Sequence, residues 1–541
     1  MPRIIVLDTL SPDGLELLDA ARPKGIEYEV RTGLKGDALR ESLAEFDGAI
    51  CRSGVKFTAD ALAGNHRLKA IVRAGVGTDN IDKEAATRLG IVVMNTPAGN
   101  TLSTAEHTFA MMLALSRNIA PAYQSLIEHK WDRNKFMGAQ LADKTLGIVG
   151  LGRIGLAVAK RAKAFEMRVL GYDPFLAKDR ARELGIEPFD NVREMLPLVD
   201  YLTVHTPLTE ETKNLISRAE IETMRPTVRL INCARGGIYD EAALVEAIKA
   251  KRIGGVALDV YANEPCTDSP LFGLPGVLAT PHLGASTEEA QTQVAVEGVG
   301  LLVDFLTTGA IRHAVNMSPI DRQTLDSLRG FLDVAHRLGL LVAQLDKATP
   351  KRCVLHYRGE VAGKNTRLIT AAFAVGLLES ALYADVNIVN AELLLRERGI
   401  ELIEQSRADM GAFSSVITAE VFTAEGTNRA AGTLLGQNMP RLVQVGDHRL
   451  EAFLDGVLLI FTHRDVPGII GRVGTIFGQH KINIAQMAVG RAAPGGSATG
   501  VLNLDAEPTA AALAEVLASP DIQTATVIRL PPAGKLPAWL Q

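Results

Sequence analysis

The stretch KTLGIVGLGRIGLAVAKRAKAFEMRVLGYD, residues 144–173, decides the fold of the surrounding chain. A short apolar run leads into a turn with three glycines, Gly150, Gly152 and Gly155, and an alanine-rich helical segment follows. A second apolar run ends on an acid, Asp173. The first glycine permits a tight turn, the second leaves room for a pyrophosphate, and the third lets helix and strand pack closely. The stretch therefore predicts a dinucleotide site, with phosphate at the helix N-terminus.

The acid that ends the second strand indicates which dinucleotide binds. Asp173 can accept hydrogen bonds from both hydroxyls of an adenosine ribose, whereas its charge would repel a 2′-phosphate. Pro174 and Phe175 follow it, so no arginine stands there to neutralise such a phosphate. We therefore expect NAD rather than NADP, with Arg153 and Ile154 of the glycine turn also contacting the cofactor.

Length and composition exclude several classes of protein. At about 150 residues per domain, 541 residues predict three or four domains. The net charge of -5 offers no electrostatic footprint for nucleic acid, and no apolar run reaches the roughly 18 residues that a membrane span needs. The four cysteines have no paired spacing, so neither disulfides nor a metal site is indicated. We expect a cytoplasmic protein that binds neither nucleic acid nor membrane.

Residues 1 to about 98 alternate short strands with helices, which predicts a parallel sheet. Two of the strands end in arginine, Arg52 and Arg73, and ligands of open α/β sheets bind beyond the carboxyl ends of the strands. A loop with two glycines, residues 74–80, follows Arg73 and brings backbone amides close to any bound anion. The alternative is that both arginines are solvated surface charges. Their position makes an anion site an equally good interpretation.

Polar residues also end successive strands after Asp173, and three of them suit hydride transfer. Removing a hydride from a secondary alcohol needs a base for the hydroxyl proton, and a 2-hydroxy acid needs a cation for its carboxylate. His282 can be the base, Glu264 can orient its imidazole, and Arg235 can hold a carboxylate through two parallel hydrogen bonds. Taken singly, each residue has a strong alternative interpretation: a histidine satisfied in the core, a surface glutamate and a surface arginine.

Together with the glycine turn and Asp173, the segments 233–237, 259–265 and 280–284 resemble the D-isomer-specific 2-hydroxyacid dehydrogenases. The resemblance implies an α/β fold of two doubly wound Rossmann-like lobes with the active site in the cleft. It places a substrate-binding domain at 1–98 and 284–316 and an NAD-binding domain at 99–283. It also implies roles for individual residues: catalysis by Arg235, Glu264 and His282, nicotinamide binding by Asp259, and a cofactor site lined by Thr206, Cys233 and His282.

Within that family, residues 73–82 and 95–100 resemble the branch that oxidises D-3-phosphoglycerate. By this resemblance Arg52 and Arg73 bind the substrate phosphate, and Gly75 and Asn95 lie beside the substrate. Arg133 is a further substrate contact, either from this chain or from a neighbouring subunit. The implied reaction is NAD-dependent oxidation of D-3-phosphoglycerate to 3-phosphohydroxypyruvate, the first step of L-serine biosynthesis.

The last third of the chain changes pattern. Residues 317–452 resemble the intervening domain of long members of the family, an α+β domain of allosteric or assembly function. Residues 453–530 predict a ferredoxin-like βαββαβ unit that resembles an ACT domain, a regulatory module that pairs between subunits. His463, Asp465 and Asn483 stand where serine-binding relatives hold their effector. Asp465 replaces an asparagine there, so both serine control and a purely structural dimer module remain open.

Two other functions stay in view. A glyoxylate or hydroxypyruvate reductase would share the catalytic residues, although the two arginines and the long tail argue against it. An NAD-sensing interaction protein would share the fold, and only turnover excludes it. We expect a homodimer or homotetramer.

Overall fold

The computed structural model describes residues 1–318, 320–346, 348–379, 386–436 and 438–535. Residues 319, 347, 380–385 and 437 of the predicted intervening domain lie outside the described residues. Within the described part the strands form four sheets of five, seven, six and four strands. No helix in these ranges is long and apolar enough to cross a membrane.

The first lobe is a five-stranded parallel sheet in the order β2-β1-β3-β4-β5. Alternating apolar strands and short amphipathic helices give this right-handed crossover pattern. The sequence did not indicate its edge strand β2, because Glu27–Val30 is only four residues long and carries two glutamates, a residue type depleted in strands. The elements are β1 Arg3–Val6, α1 Pro12–Ala21, β2 Glu27–Val30, α2 Gly36–Leu43, β3 Gly48–Cys51, α3 Ala59–Leu62, β4 Ala70–Arg73, α4 Lys83–Arg88 and β5 Val92–Asn95.

The second lobe is a seven-stranded parallel sheet in the order β12-β11-β10-β9-β6-β7-β8. The strand order reverses beside β6, which is where doubly wound sheets bind ligands. Its elements are α5 Thr101–Ser116, α6 Ile119–Ile127, β6 Thr145–Val149, α7 Arg153–Ala164, β7 Arg168–Tyr172, α8 Lys178–Glu183, β8 Glu187–Pro188, α9 Val192–Met195, β9 Tyr201–Val204, α10 Arg218–Thr223, β10 Arg229–Asn232, α11 Glu241–Lys249, β11 Gly255–Leu258 and β12 Val277–Ala279.

Helix α12, Glu288–Thr308, returns the chain to the first lobe. Val294, Ala295 and Leu302 on it are buried against the first sheet, and α1 packs alongside. The two lobes are thus joined by two crossings, α5 and α12, with the cleft between them.

The third sheet is six-stranded, in the order β14-β13-β15-β16-β17-β18, and is antiparallel except between β13 and β14. Two long helices, α13 and α14, pack together beside it. Arg88 of the first lobe forms an ion pair with Glu397 of this domain, at 2.9 Å. The elements are α13 Arg322–Leu345, β13 Arg352–Gly359, α14 Thr366–Glu379, α15 Ala391–Glu397, β14 Glu401–Arg407, β15 Ser415–Phe422, β16 Thr427–Leu435, β17 Met439–Val445 and β18 His448–Phe453.

The fourth sheet is antiparallel in the order β20-β21-β19-β22, with its own apolar core under two helices. The order of elements is the βαββαβ unit that the sequence predicts, and the predicted fold class is confirmed. The elements are β19 Val457–Arg464, α16 Ile469–Gln479, β20 Ile484–Arg491, β21 Ser497–Leu504, α17 Ala510–Leu517 and β22 Ile522–Arg529.

Candidate active site

The glycine turn between β6 and α7 is packed tightly on one side and open on the other. Gly150 has φ +92°, and a Cβ atom there would lie 2.6 Å from the His205 carbonyl oxygen. A Cβ at Gly155 would lie 2.0 Å from the Gly150 carbonyl oxygen. At Gly152 an added Cβ would meet nothing within 4 Å. The turn therefore requires glycine at its first and third positions and presents free space at its second, as a pyrophosphate needs.

Asp173 is tied to this turn. Its Oδ2 accepts a hydrogen bond from the Leu151 amide at 2.7 Å, and its Oδ1 accepts one from the Phe175 amide at 2.8 Å. Each carboxylate oxygen has a second lone pair, so the group can still accept from a ribose. Arg153 is exposed at the start of α7, and Ile154 beside it is half-buried.

The residues that follow β9, β10 and β11 line the same edge of the sheet. Thr206 abuts Gly150, and its Oγ1 is buried without a partner among the described residues. Burial raises the pKa of the Cys233 thiol, which therefore stays protonated. The open turn at Gly152, the Asp173 carboxylate as an acceptor for the ribose, and the unpaired Thr206 hydroxyl together fit a dinucleotide. The Asp259 carboxylate is wholly buried, and its oxygens accept hydrogen bonds from Thr280, Leu283 and Gly284.

His282 and Glu264 form a pair at the cleft. The Nδ1 atom of His282 lies 2.7 Å from Oε2 of Glu264, while Oε1 of Glu264 accepts from the Tyr261 amide at 3.0 Å. Burial acts to raise the pKa of Glu264, but the hydrogen bonds from His282 and Tyr261 outweigh it and hold that pKa below its usual value. The charge of Arg235 adds to this lowering, which places Arg235 in the same site. Glu264 is thus ionised at neutral pH.

Arg235, which follows β10, reaches across to the first lobe. Its Nε donates to Oδ2 of Asp79 at 2.9 Å, and its Nη1 donates to the Ala234 carbonyl at 2.6 Å. Its Nη2 lies over Gly77, where an added Cβ would be only 1.7 Å away. The glycine-rich loop of one lobe is therefore shaped around the arginine of the other.

Arg73 and Arg52 lie at the carboxyl edge of the first sheet. A Cβ at Gly75 would be 1.6 Å from Nη1 of Arg73, and the Arg73 Nε is buried without a partner among the described residues. Burial, together with the neighbouring charges of Arg235 and Arg52, lowers the pKa of Arg73. Three guanidinium groups therefore converge on one region, and this concentration of positive charge favours a polyanionic ligand.

Asn95 shapes the loop around these arginines. Its Nδ2 donates to the Val76 carbonyl at 2.6 Å, and the Thr96 amide donates to the Gly75 carbonyl at 3.1 Å. The predicted substrate contacts Gly75 and Asn95 thus stand beside Arg73, with Asn95 engaged by the loop itself.

Arg133 lies on the segment between α6 and β6. The segment that carries it is fastened to the C-terminal end of α5, where the Ala139 amide donates to the Ser116 carbonyl at 2.9 Å. The other end of α5 reaches the site, because Thr104 donates to the Gly284 carbonyl. The predicted role of Arg133 as a substrate contact, either from this chain or from a neighbouring subunit, stays a prediction.

The three predicted effector residues are divided between the two ends of the fourth sheet. His463 pairs with Ala498, and Asp465 follows it and forms an ion pair with Arg491 at 2.7 Å. Asn483 lies next to Asp505 at the opposite end and donates to its Oδ2 at 2.7 Å. The two ends are about 20 Å apart, so one chain does not bring the three together.

Four residues that take part in this site were not predicted from the sequence. Asp8 accepts from the Arg52 amide, and Asn80 donates to the carbonyls of Arg52 and Val55. The Asp79 carboxylate accepts from Arg235, and His107 contacts Asp259. Asp8 and Asn80 follow a strand or a glycine loop, which was an available signal. No local pattern marks His107, because its partner is distant in the sequence.

Comparison with known proteins agrees with this geometry. Residues 109–284 match the NAD binding domain of D-isomer specific 2-hydroxyacid dehydrogenases, residues 327–446 the D-3-phosphoglycerate dehydrogenase intervening domain, and residues 457–521 the ACT domain. The D-3-phosphoglycerate dehydrogenase of Methanocaldococcus jannaschii is 40% identical over 98% of this chain and 100% of its own. That of Synechocystis sp. is 40% identical over 98% of this chain and 95% of its own. Apo D-lactate dehydrogenase from Escherichia coli superposes with a TM-score of 0.52, at 28% identity, over 58% of this chain and 99% of that one.

The two-lobed fold and the NAD-binding domain define the class of D-isomer-specific 2-hydroxyacid dehydrogenases. Within that class, the chain belongs to the D-3-phosphoglycerate dehydrogenase family. The predicted family and cofactor are confirmed.

Proposed function

We propose that this protein oxidises D-3-phosphoglycerate to 3-phosphohydroxypyruvate with NAD, the step that opens L-serine biosynthesis. One observation carries the proposal: Arg52, Arg73 and Arg235 converge at the cleft that also holds the His282 and Glu264 pair. A substrate with a phosphate and a carboxylate matches three guanidinium groups. A hydroxyl between the two anionic groups would then face the imidazole.

His282 acts as the base. Glu264 accepts the N–H of Nδ1, which leaves the lone pair on Nε2 free to take the substrate's hydroxyl proton. The ionised Glu264 then stabilises the imidazolium that forms. NAD, when bound, accepts the hydride from C2.

The cofactor and substrate contacts follow from position. Gly150, Gly152, Arg153, Ile154 and Gly155 hold the pyrophosphate side of the cofactor, Asp173 the ribose, and Thr206 and Cys233 line its path. Arg235 binds the substrate carboxylate and Arg52 and Arg73 bind its phosphate. Gly75 and Asn95 shape the loop that lets Arg73 approach.

A glyoxylate or hydroxypyruvate reductase would share His282, Glu264 and Arg235, but its substrate has no phosphate for Arg52 and Arg73 to bind. The Arg73 side chain is largely buried. Burial makes the charged form of its guanidinium less favourable and so lowers its pKa. A protein gains from burying such a cation when a strong anion binds it. This observation favours a phosphorylated substrate over glyoxylate or hydroxypyruvate.

The protein acts as a homo-oligomer. Helix α6 buries none of its nine residues, and its apolar side chains Ile119, Tyr123, Leu126 and Ile127 are all more than half exposed. An exposed apolar patch of this kind marks an interface, and self-complementary dimers are the commonest solution. In such a dimer Arg133 serves the cleft of the second copy. Serine bound between ACT domains would take His463 and Asp465 from one copy and Asn483 from the other.

The decisive experiment is the initial rate of NADH formation with D-3-phosphoglycerate, D-lactate and D-glycerate. We expect a selective rate with the phosphorylated acid that falls at least about 100-fold in kcat/KM in Arg73→Ala. Arg40→Ala, which removes an exposed arginine from the same lobe, is the matched control and should behave as wild type. Turnover that favours the unphosphorylated acids would support the reductase, and no turnover with any acid would support the NAD-sensing alternative.

A further inference from the structure

The loop that carries His282 is held in an unfavourable backbone conformation. His282 has φ +57°, in the left-handed region that favours glycine. A non-glycine residue stays there only when its surroundings impose it. The position of the imidazole therefore depends on what grips residues 280–284.

A single carboxylate grips this loop on both sides of His282. Oδ1 of Asp259 accepts from Thr280 Oγ1 at 2.6 Å and from the Leu283 amide at 2.7 Å. Oδ2 of Asp259 accepts from the Gly284 amide at 2.8 Å. Thr280 comes before the histidine and the two amides come after it, so Asp259 fixes the entry and the exit of the turn together.

Helix α5 supports the same loop through further hydrogen bonds. Ser103 and Thr104 donate through their hydroxyls to the Gly284 carbonyl, at 2.7 and 3.2 Å. His107 lies one turn further along the same face of α5. Its Nε2 is 3.2 Å from Oδ1 of Asp259 and 3.3 Å from Thr280 Oγ1.

Asp259 needs His107 because the carboxylate is wholly buried. Among the described residues, the basic side chain that lies within ion-pair distance of the Asp259 carboxylate is that of His107. Burial acts to raise the pKa of Asp259, yet the hydrogen bonds from His107, Thr280 and Leu283 outweigh it and hold that pKa below the usual value. Cys233 Sγ also lies within 4.8 Å of both groups. Its thiol stays protonated because burial raises its pKa, so it brings no competing charge.

We propose that His107 is a positioning residue for catalysis: it donates from Nε2 to Asp259 and thereby fixes the loop that aims His282. This inference rests on His282 being the base in the function proposed above. His107 touches neither substrate nor cofactor in this role and acts only through Asp259. Losing the donor should therefore lower kcat and leave substrate binding nearly intact, since the three arginines lie on other segments.

The test compares His107→Leu with His107→Gln in the full-length protein, because glutamine keeps an N–H donor at a similar reach. We expect kcat to fall about 10- to 100-fold in His107→Leu, the loss typical of a misplaced catalytic group, with KM for D-3-phosphoglycerate within about twofold of wild type. His107→Gln should recover most of kcat. His480→Leu is the control, because it removes a histidine contact to Glu515, at 3.1 Å, in the ACT domain.

Three outcomes are decisive. Wild-type kcat in His107→Leu would overturn the proposal. Equal losses in the leucine and glutamine variants, with equal falls in Tm, would show a packing role instead and would also overturn it. Full turnover in His282→Ala would instead refute the proposed base, and with it the function on which this inference rests.

Discussion

The Nε atom of Arg235 lies 2.9 Å from Oδ2 of Asp79, and this pair joins the two lobes across the cleft. Asp79 lies in the glycine-rich loop of the first lobe, and Arg235 follows a strand of the second. The arginine is therefore oriented before any substrate carboxylate reaches it. The bare backbone of Gly77 makes the approach possible.

Replacing Gly77 by alanine should displace the Arg235 guanidinium. The added methyl would lie 1.7 Å from Nη2, and since Gly77 has no positive φ the backbone itself tolerates alanine. We expect KM for D-3-phosphoglycerate to rise about tenfold, the loss of one charge-assisted hydrogen bond, with Tm nearly unchanged. Steady-state kinetics measure the change. Gly300→Ala, at a position where an added Cβ meets nothing within 4 Å, should leave KM alone.

Glu264→Gln should change both catalysis and the pH dependence of stability. Glutamine keeps an acceptor for His282 but loses the charge that stabilises imidazolium, so we expect kcat to fall about 10- to 100-fold. The pKa of Glu264 is held below its usual value of 4.5, so ionised Glu264 stabilises the fold at neutral pH and loses that effect as pH falls through its lowered pKa. The Tm advantage of wild type over Glu264→Gln should thus be largest above pH 5 and shrink below about 4.5. An advantage that is the same at pH 7 and pH 4 would contradict this account.

Arg337→Met should destabilise the junction between the last two domains. The guanidinium is fully buried, and its five N–H groups meet Asp333 and four carbonyls, those of Leu454, Pro531, Pro532 and Lys535. Removing the guanidinium leaves the buried Asp333 carboxylate without its partner, which should lower the free energy of unfolding by about 3–5 kcal/mol. Denaturant unfolding and proteolysis of the C-terminal segment measure the effect. The exposed Arg367→Met should be silent, and equal stability of both variants would refute the structural role of Arg337.

The double variant Tyr123→Glu/Leu126→Glu should dissociate the oligomer. Both side chains are more than half exposed on α6, and two charges in an apolar interface strongly oppose association. Sedimentation equilibrium should show a smaller species. Leu17→Glu, which charges an exposed leucine on α1, should keep the native mass. An unchanged mass in the α6 variant would show that the subunit interface lies on another surface.

A serine site shared between two copies predicts complementation. His463→Ala and Asn483→Ala, each alone, should abolish serine inhibition, since His463 and Asn483 lie at opposite ends of the ACT sheet. A mixed oligomer of the two variants regains one intact site per pair, so mixing after partial dissociation should restore part of the inhibition. Inhibition that survives in both single variants would show that serine binds elsewhere. If serine does not inhibit the wild type, the ACT domain is a purely structural dimer module.

Much of the fold could be read from short-range pattern. The strand at Tyr201–Val204 and the helix that begins at Ile469 fall where apolar runs and breakers place them. Strand β2 was not identified because it is an edge strand of only four residues with two glutamates, a residue type depleted in strands. The six-stranded third sheet was not identified either. Its strand β13 pairs with β14 and β15 over long separations, which leave no local signal, whereas β15 to β18 are consecutive hairpins whose short turns were an available signal.

The sequence by itself determined the dinucleotide turn and the acid that selects NAD, because these lie within about 30 positions of one another, and it supplied the catalytic candidates from the polar residues that end successive strands. Only the tertiary structure decided which of them meet. It placed Asp79 on Arg235 and His107 on Asp259, contacts that span 156 and 152 positions, and it separated Asn483 from His463 within one small domain. The physical reason is that strand pairing and lobe packing bring distant side chains together, and no local periodicity encodes such contacts.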